Sequence, residues 1–159
     1  MERKFDSISA KIIKSRYYDV MHLHFFINDK ELDELLEKAD PGKNYLGLVP
    51  TLLSWLDEEN ERKFVWESAK LEENVSKIFP ILMCPDDCDF SCTIILAEVF
   101  SNGDSIYWKR IGLDARENIL DSFGSKVKWI NNIGSFVFRK NEYIRCLKIF
   151  EEALDKEIV

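Results

Sequence analysis

The clearest early pattern in the chain is an alternation of side chains that predicts a β-strand over Arg16 to Ile27. Successive side chains of a strand point to opposite faces. One face of this strand carries Met21, Leu23, Phe25 and Ile27. The other face carries Val20, His22, His24 and Phe26. Because both faces hold large apolar groups, the segment is typical of a central strand.

Helical periodicity follows this strand. Asn28 is expected to cap a helix, because Glu31 stands where a capping box requires it, and Pro41-Gly42 is expected to end that helix. Its apolar stripe is Leu32, Leu35, Leu36 and Ala39. Val49 to Leu56 predicts a second short helix, with Pro50 in its first turn. A third helical stretch carries Phe64, Val65, Ala69 and Leu71.

The middle of the chain predicts several strands. Val75 to Met83 is typical of a buried strand, in which Pro80 indicates a bulge or an edge. Thr93 to Phe100 and Ser105 to Leu113 flank Asn102-Gly103, a dipeptide that favours a two-residue type I′ turn. That turn would pair Val99 with Ile106, Ala97 with Trp108 and Glu98 with Tyr107, and it would place Lys109 diagonal to Glu98.

The C-terminal third predicts a short helix over Ala115 to Phe123 and two short strands, Val127 to Ile130 and Phe136 to Phe138. Asn141 is expected to cap a final amphipathic helix. The apolar positions of that helix are Tyr143, Ile144, Leu147, Phe150 and Leu154. Strands that cluster together favour an α+β class: a mainly antiparallel sheet with helices packed on it, in a single domain over residues 1–159.

The composition narrows the function. The chain has 159 residues, 46% of them hydrophobic, and a net charge of −7. This acidic balance argues against nucleic-acid binding, which needs clustered Lys and Arg, and favours a basic protein partner. The apolar runs are too short for a secretory signal or a membrane helix, so a cytoplasmic protein that does not enter a membrane is expected.

His22-x-His24 and the run Cys84-x3-Cys88-x3-Cys92 are the candidate metal ligands. Two histidines on one strand face suit a metal, but the cysteine spacing fits neither a zinc site nor an iron–sulfur site. We therefore expect the histidines to be hydrogen-bonded within the sheet and the cysteines to be free thiols. A metal or redox site formed by the histidines and cysteines together is the alternative.

The familiar enzyme motifs are absent from the sequence, so we expect a non-catalytic protein without a cofactor. Acidic side chains are the candidate contacts to a basic partner: Asp57, Glu58, Glu59, Asp86, Asp87 and Asp89. Candidate aromatic anchors are Tyr45, Trp55, Trp66 and Trp129. A second alternative is a small-ligand pocket lined by Tyr17, Tyr18, Phe26 and Trp108.

Two segments, Tyr45 to Leu56 and Leu82 to Thr93, resemble parts of small uncharacterised bacterial proteins. In its size, acidity and expected α+β class, the chain is also similar to the immunity proteins of polymorphic toxin systems. This resemblance implies a protein that binds and blocks a toxin domain, often a basic nuclease. The oligomeric state does not follow from it.

Overall fold

The computed structural model describes residues 4–86, 92–118 and 120–157, and its strands form two antiparallel sheets. The smaller sheet contains β1 (Ile8–Lys14), β2 (Met21–Ile27) and β3 (Lys30–Glu31), with β2 in the centre. The central position that was predicted for the histidine-bearing strand is therefore confirmed. Its flat apolar face continues into the core through Phe25 and Ile27, which are fully buried.

The larger sheet has the order β4-β5-β6-β7-β8, and a further strand, β9, also pairs with β7. Its strands are β4 (Val49–Pro50), β5 (Ser76–Met83), β6 (Ile94–Asn102), β7 (Ser105–Asp114), β8 (Val127–Trp129) and β9 (Phe136–Arg139). Every ladder between these strands is antiparallel. The register of β5 shifts between Pro80 and Leu82, which confirms the bulge expected at the proline.

Three helices pack on the sheets in the part of the chain that the structure describes: α1 (Leu32–Ala39), α2 (Glu59–Ala69) and α3 (Lys140–Glu157). Helix α1 contacts the smaller sheet, α2 lies on β5, and α3 contacts β1, β7 and β9. The predicted amphipathic C-terminal helix is confirmed, since Tyr143, Cys146 and Phe150 of α3 are buried. The α+β class is confirmed as well.

Trp108 marks the place where the two sheets and α3 meet. Its ring packs edge-on against Phe25 of the smaller sheet and Phe138 of the larger one, with centroid distances of 5.9 Å and 5.4 Å. Its indole Nε1–H donates to the Tyr143 hydroxyl of α3 at 3.2 Å. One hydrophobic core therefore runs through both sheets. None of the described helices is long and apolar enough to cross a membrane.

The start of the chain differs from the prediction. The strand expected over Arg16 to Ile27 begins only at Met21, because 15–20 form the loop of a β-hairpin with β1. Asn28 does not cap a helix. Asn28 and Asp29 both have positive φ, 52° and 64°, and form the tight turn between β2 and β3. Helix α1 starts after Glu31 without a side-chain cap.

Val49 to Leu56 is not a helix. Val49 and Pro50 pair with Leu82 and Met83, and turns follow up to Trp55. The Thr51 hydroxyl donates to the Pro80 carbonyl at 2.5 Å, which ties the segment to β5. The apolar side chains of the segment are buried, but a short buried run of this kind has the same periodicity in a helix and in irregular chain.

The β6–β7 hairpin exists, but its turn lies one residue later than expected. Asn102 pairs with Ser105, and the turn residues are Gly103, with φ of +57°, and Asp104. Val99 consequently faces Trp108 instead of Ile106. A bulge at Glu98 brings that residue opposite Arg110, whose Nε donates to the Glu98 carboxylate at 2.7 Å. Between the turn and Val99 the register shifts by two residues, so each side chain keeps its expected face, whereas beyond the bulge Ala97 faces Ile111 instead of Trp108, a shift of three residues that does not preserve the face.

Two further expectations near the C-terminus are wrong. The described residues between Ala115 and Phe123 form turns and bends, and Arg116 closes them by contacting the Asp114 carboxylate at 2.9 Å and the Asp121 carbonyl at 2.8 Å. Asn141 does not cap α3, since the helix already includes Lys140. The Lys140 N–H donates to the Asp104 carbonyl at 2.8 Å, so α3 begins directly on the β6–β7 turn.

Candidate functional site

Exposed apolar side chains concentrate at one end of the β1–β2 hairpin. Nine large hydrophobic side chains are exposed among the described residues, and five of them lie between Ile12 and Met21. We call these five the hairpin-end surface: Ile12, Tyr17, Tyr18, Val20 and Met21. Ile12, Tyr17 and Met21 are each more than 60% exposed. Ile12 and Met21 lie on the face of the smaller sheet that carries Phe25, whereas Tyr17 lies over Gly47, so the group extends around the end of the hairpin. Isolated apolar residues on a surface are ordinary, whereas a local concentration of them indicates an interaction site.

The loop that carries the two tyrosines is fixed by its own hydrogen bonds. The Ser15 hydroxyl oxygen accepts from the backbone N–H groups of Tyr17 and Tyr18 at 3.3 Å and 3.2 Å. The Ser15 N–H donates to the Val20 carbonyl at 2.9 Å. Ser15 itself is buried beneath the loop. The tyrosines therefore stand on a defined turn, and ordering them for contact costs little entropy.

Tyr17 is held at both ends of its side chain. Its hydroxyl donates to the Leu46 carbonyl at 3.1 Å, and its ring lies directly over Gly47. A Cβ atom at Gly47 would come within 2.2 Å of the Tyr17 ring, and the φ of Gly47 is +92°. Glycine is required at this position for both reasons, the left-handed backbone and the close approach of the ring.

A buried polar cluster holds the Gly47 backbone in place. The Gly47 N–H donates to one carboxylate oxygen of Asp33 at 2.9 Å, and His24 Nε2 lies 3.1 Å from the other. Arg16 Nε lies 3.5 Å from the first oxygen. Burial alone would raise the pKa of Asp33, but His24, the Gly47 N–H and Arg16 together lower it. Asp33 is thus an ionised acceptor in the interior.

His22 and His24 are buried, so a substrate in solvent does not reach their side chains. His24 is fully buried, and 7% of His22 is exposed. His22 Nδ1 bonds the Leu23 carbonyl at 2.8 Å, and its ring packs edge-on against Trp55 at a centroid distance of 5.3 Å. Burial lowers the pKa of His22. This geometry suits histidines that organise the fold, as the main interpretation of the sequence has it.

The metal alternative gains no support from the described residues. In residues 4–86, 92–118 and 120–157, no three His, Cys, Asp or Glu side chains are grouped to hold a metal ion. Cys84 and Cys146 are free thiols, and burial raises the pKa of Cys146 to about 12. Cys88, the remaining ligand of that hypothesis, lies outside the described residues.

Of the six acidic side chains predicted to contact a partner, Asp86 is placed at the hairpin end. The Tyr18 hydroxyl donates a hydrogen bond to its carboxylate. Asp57, Glu58 and Glu59 are exposed where α2 begins, and Glu59 pairs with Lys63 at 3.5 Å. Asp87 and Asp89 lie outside the described residues.

The charge around the hairpin end is acidic, although the first residues of the chain are basic. Three cations of β1 and its loop are paired: Lys11 with Asp29, Lys14 with Asp19, and Arg16 with Glu34. Arg16 also contacts the carboxylates of Glu31 and Asp33. Among these contacting groups, six carboxylates, with Asp86 included, outnumber three cations. Such a field attracts a basic partner.

The predicted aromatic anchors are not the exposed ones. Tyr45 is 2% exposed and donates to Asp40 at 2.7 Å, and the three tryptophans Trp55, Trp66 and Trp129 are half-buried. The aromatic ligand pocket is not formed either, since Trp108 lies in the core while Tyr17 and Tyr18 are on the surface. The exposed aromatic side chains are instead Tyr17 and Tyr18, and the sequence signal for them was two adjacent tyrosines among charged residues, an arrangement typical of a surface loop.

Comparison with known proteins gives no relative for this chain. No family model, no curated protein and no solved structure matches it.

Proposed function

We propose that this chain is a non-catalytic binding protein that occludes a basic protein partner, in the manner of an immunity protein. The hairpin-end surface is its contact face. The observation that carries the proposal is the concentration of exposed apolar side chains in the ten residues from Ile12 to Met21, two of them tyrosines whose backbone is fixed by Ser15.

Tyr17 and Tyr18 are suited to act as anchors. Tyrosine offers a large contact area with few rotatable bonds, and it is enriched among the residues that dominate binding energy. The Ser15 and Leu46 hydrogen bonds already fix the Tyr17 side chain and the backbone of both residues. Binding would therefore need little reorganisation at these positions.

The acidic surplus supports the choice of a basic partner. Asp86, which accepts from the Tyr18 hydroxyl, and the exposed carboxylate of Asp19 in the same loop lie beside the tyrosines, as the polar rim of an interface does. Rim charges of this kind mainly raise the rate of association and make it sensitive to salt. Asp57, Glu58 and Glu59 would extend the same field from the start of α2.

The first experiment is an affinity capture from the source cell, with the bound proteins identified by mass spectrometry and the neighbouring genes read alongside. The wild-type chain is compared with a Tyr18→Ala, Met21→Ser double variant. We expect one dominant basic partner, whose affinity for the double variant falls about 30-fold or more, since loss of an anchor residue costs about 2 kcal/mol.

Leu120→Ser is the matched control, because Leu120 is 89% exposed and lies outside the hairpin-end surface. This variant should bind like the wild type. Tyr18→Phe removes the hydrogen bond to Asp86 but keeps the aromatic ring, and it should keep most of the affinity. Equal capture by the wild type and the double variant would contradict the contact face. Failure to retain any protein at low and at moderate salt would contradict the function itself.

A further inference from the structure

A second apolar surface lies far along the chain from the hairpin end, in a groove between α2 and α3. The groove has a volume of about 810 Å³. Its apolar lining is Trp66, Ala69, Leu71, Ile144, Leu147 and Leu154. Ile144 is 46% exposed, which is unusual for an aliphatic side chain that faces a neighbouring helix. The groove is therefore an unfilled contact surface.

The α3 side of the groove has the spacing of a helix–helix interface. Lys140, Ile144, Leu147, Glu151 and Leu154 line it, at alternating intervals of four and three residues. This average spacing of 3.5 residues is the seam by which one helix packs along another. It is distinct from the stripe of Tyr143, Cys146 and Phe150 that α3 turns to its own core. The occupant that fits the seam is a helix.

The charges in the groove are separated along its length. Lys140 lies at the start of α3 and Lys148 at its middle, whereas Glu151 and Asp155 lie in its second half. Among the described residues, none of these four side chains is within ion-pair distance of an opposite charge. Along α3 the groove therefore changes from cationic to acidic, and these four charges are not neutralised by the described residues, whereas Lys70 on the opposite wall pairs with Glu67.

We propose that a second copy of this chain fills the groove, with the two α3 helices antiparallel about a two-fold axis near Leu147 and Lys148. This arrangement places Lys140 of each copy opposite Asp155 of the other. It also places Lys148 within one turn of the other copy's Glu151. A two-fold interface makes every such contact twice, so the four unneutralised charges of each copy all find partners.

A parallel arrangement is disfavoured by the same residues, because it sets Lys140 against Lys140 and Asp155 against Asp155. Helix pairs choose orientation and partner through such flanking charges. The groove lining does not include the hairpin-end residues, so the two surfaces are built from different side chains.

Sedimentation equilibrium over a wide range of protein concentration tests the proposal. The wild type should show a monomer–dimer equilibrium. Lys140→Glu should weaken dimerisation by about tenfold or more, because it places like charges across the interface. The charge-swapped chain with both Lys140→Glu and Asp155→Lys should recover the wild-type affinity, since each pair is restored with its sign reversed.

Arg145→Glu is the matched control, because Arg145 is exposed on α3 but does not line the groove. It makes the same change of charge and should leave dimerisation unaltered. Far-UV circular dichroism verifies that all variants keep the wild-type fold. A wild type that stays monomeric at every concentration overturns the proposal, and the groove then belongs to a helix of another protein. Equal weakening by Lys140→Glu and Arg145→Glu, or no recovery in the charge-swapped chain, overturns the antiparallel pairing.

Discussion

At the scale of the residue, His22 makes the fold sensitive to acid. Burial lowers its pKa from the ordinary value of 6.5, so the folded state favours the neutral ring and the unfolded state binds a proton first. Stability is therefore full above pH 6.5 and declines as the pH falls through the lowered pKa of the folded state. Urea unfolding at a series of pH values across this window measures the effect as a falling free energy of unfolding.

His22→Gln identifies the source of that slope. Glutamine keeps a hydrogen-bonding side chain but has no proton to bind, so the decline just below pH 6.5 should become shallower in this variant. A second loss at more acid pH should persist, because the pKa of Asp33 is also lowered and its protonation weakens the contacts with His24 and Gly47. If the free energy of unfolding of His22→Gln depended on pH as steeply as that of the wild type, another group would be responsible for the acid sensitivity.

The residues that build the hairpin-end surface show what a sequence reveals at this scale. The alternation placed His22 and His24 together on one face of a strand, and the structure has them on that face. Nothing in the local sequence connects Gly47 with Tyr17 or with Asp33, because these contacts span 30 and 14 positions of the chain. The pairing of the two histidines could therefore be predicted from the sequence, whereas the role of Asp33 as the buried acceptor could not.

At the scale of the element, the β2–β3 turn is strained at Asp29. Its φ is 64°, a conformation that glycine adopts without steric cost. Asp29→Gly should raise the free energy of unfolding by about 1 kcal/mol, since Asn-Gly is the preferred pair for such a turn. The lost contact with Lys11 is exposed and contributes little. Thermal or urea unfolding measures the change.

Asp19→Gly is the matched control for the turn. Asp19 is also exposed and also pairs with a lysine, Lys14, but its φ is not positive. Glycine there should leave stability unchanged or lower it slightly, because it only adds freedom to the unfolded chain. Equal effects of the two substitutions on the free energy of unfolding would mean that the positive φ of Asp29 does not destabilise the protein.

The elements that the sequence predicted correctly are those with a one-sided or fully buried pattern. Helix α3 and strands β5, β6 and β7 belong to this class, and periodicity alone identifies them. Strand β1 was not predicted. Only Ile8 of its seven residues is buried, so the sequence shows no clear alternation of apolar and polar side chains there. The segment from Val49 to Leu56 failed for the opposite reason, since it is apolar almost throughout.

At the scale of the whole molecule, the candidate site is assembled from four separate stretches of chain. The hairpin loop supplies Tyr17 and Tyr18, the start of α1 supplies Asp33, the segment before β4 supplies Gly47, and the chain after β5 supplies Asp86. Their meeting depends on how the two sheets are set against each other. A single sequence carries no direct record of such long-range contacts. It therefore offered Asp86 as a partner contact and Tyr17 and Tyr18 as a pocket lining, without joining them in one site.

The packing of Trp108 against both sheets predicts that they unfold together. Phe25 reaches from the smaller sheet to Trp108, and its ring also lies 4.9 Å from that of Phe150 in α3. Phe25→Ala should lower the free energy of unfolding by about 3–5 kcal/mol, as removal of a buried aromatic ring does. Amide hydrogen exchange should report the same loss for β2 and for β6, because one cooperative transition exposes both.

Phe79→Ala, an equally buried change in the larger sheet, should give the same shared loss. If Phe25→Ala instead weakened protection in the smaller sheet alone, that sheet would be a separate unfolding unit, and the hairpin end would open while the larger sheet stayed folded.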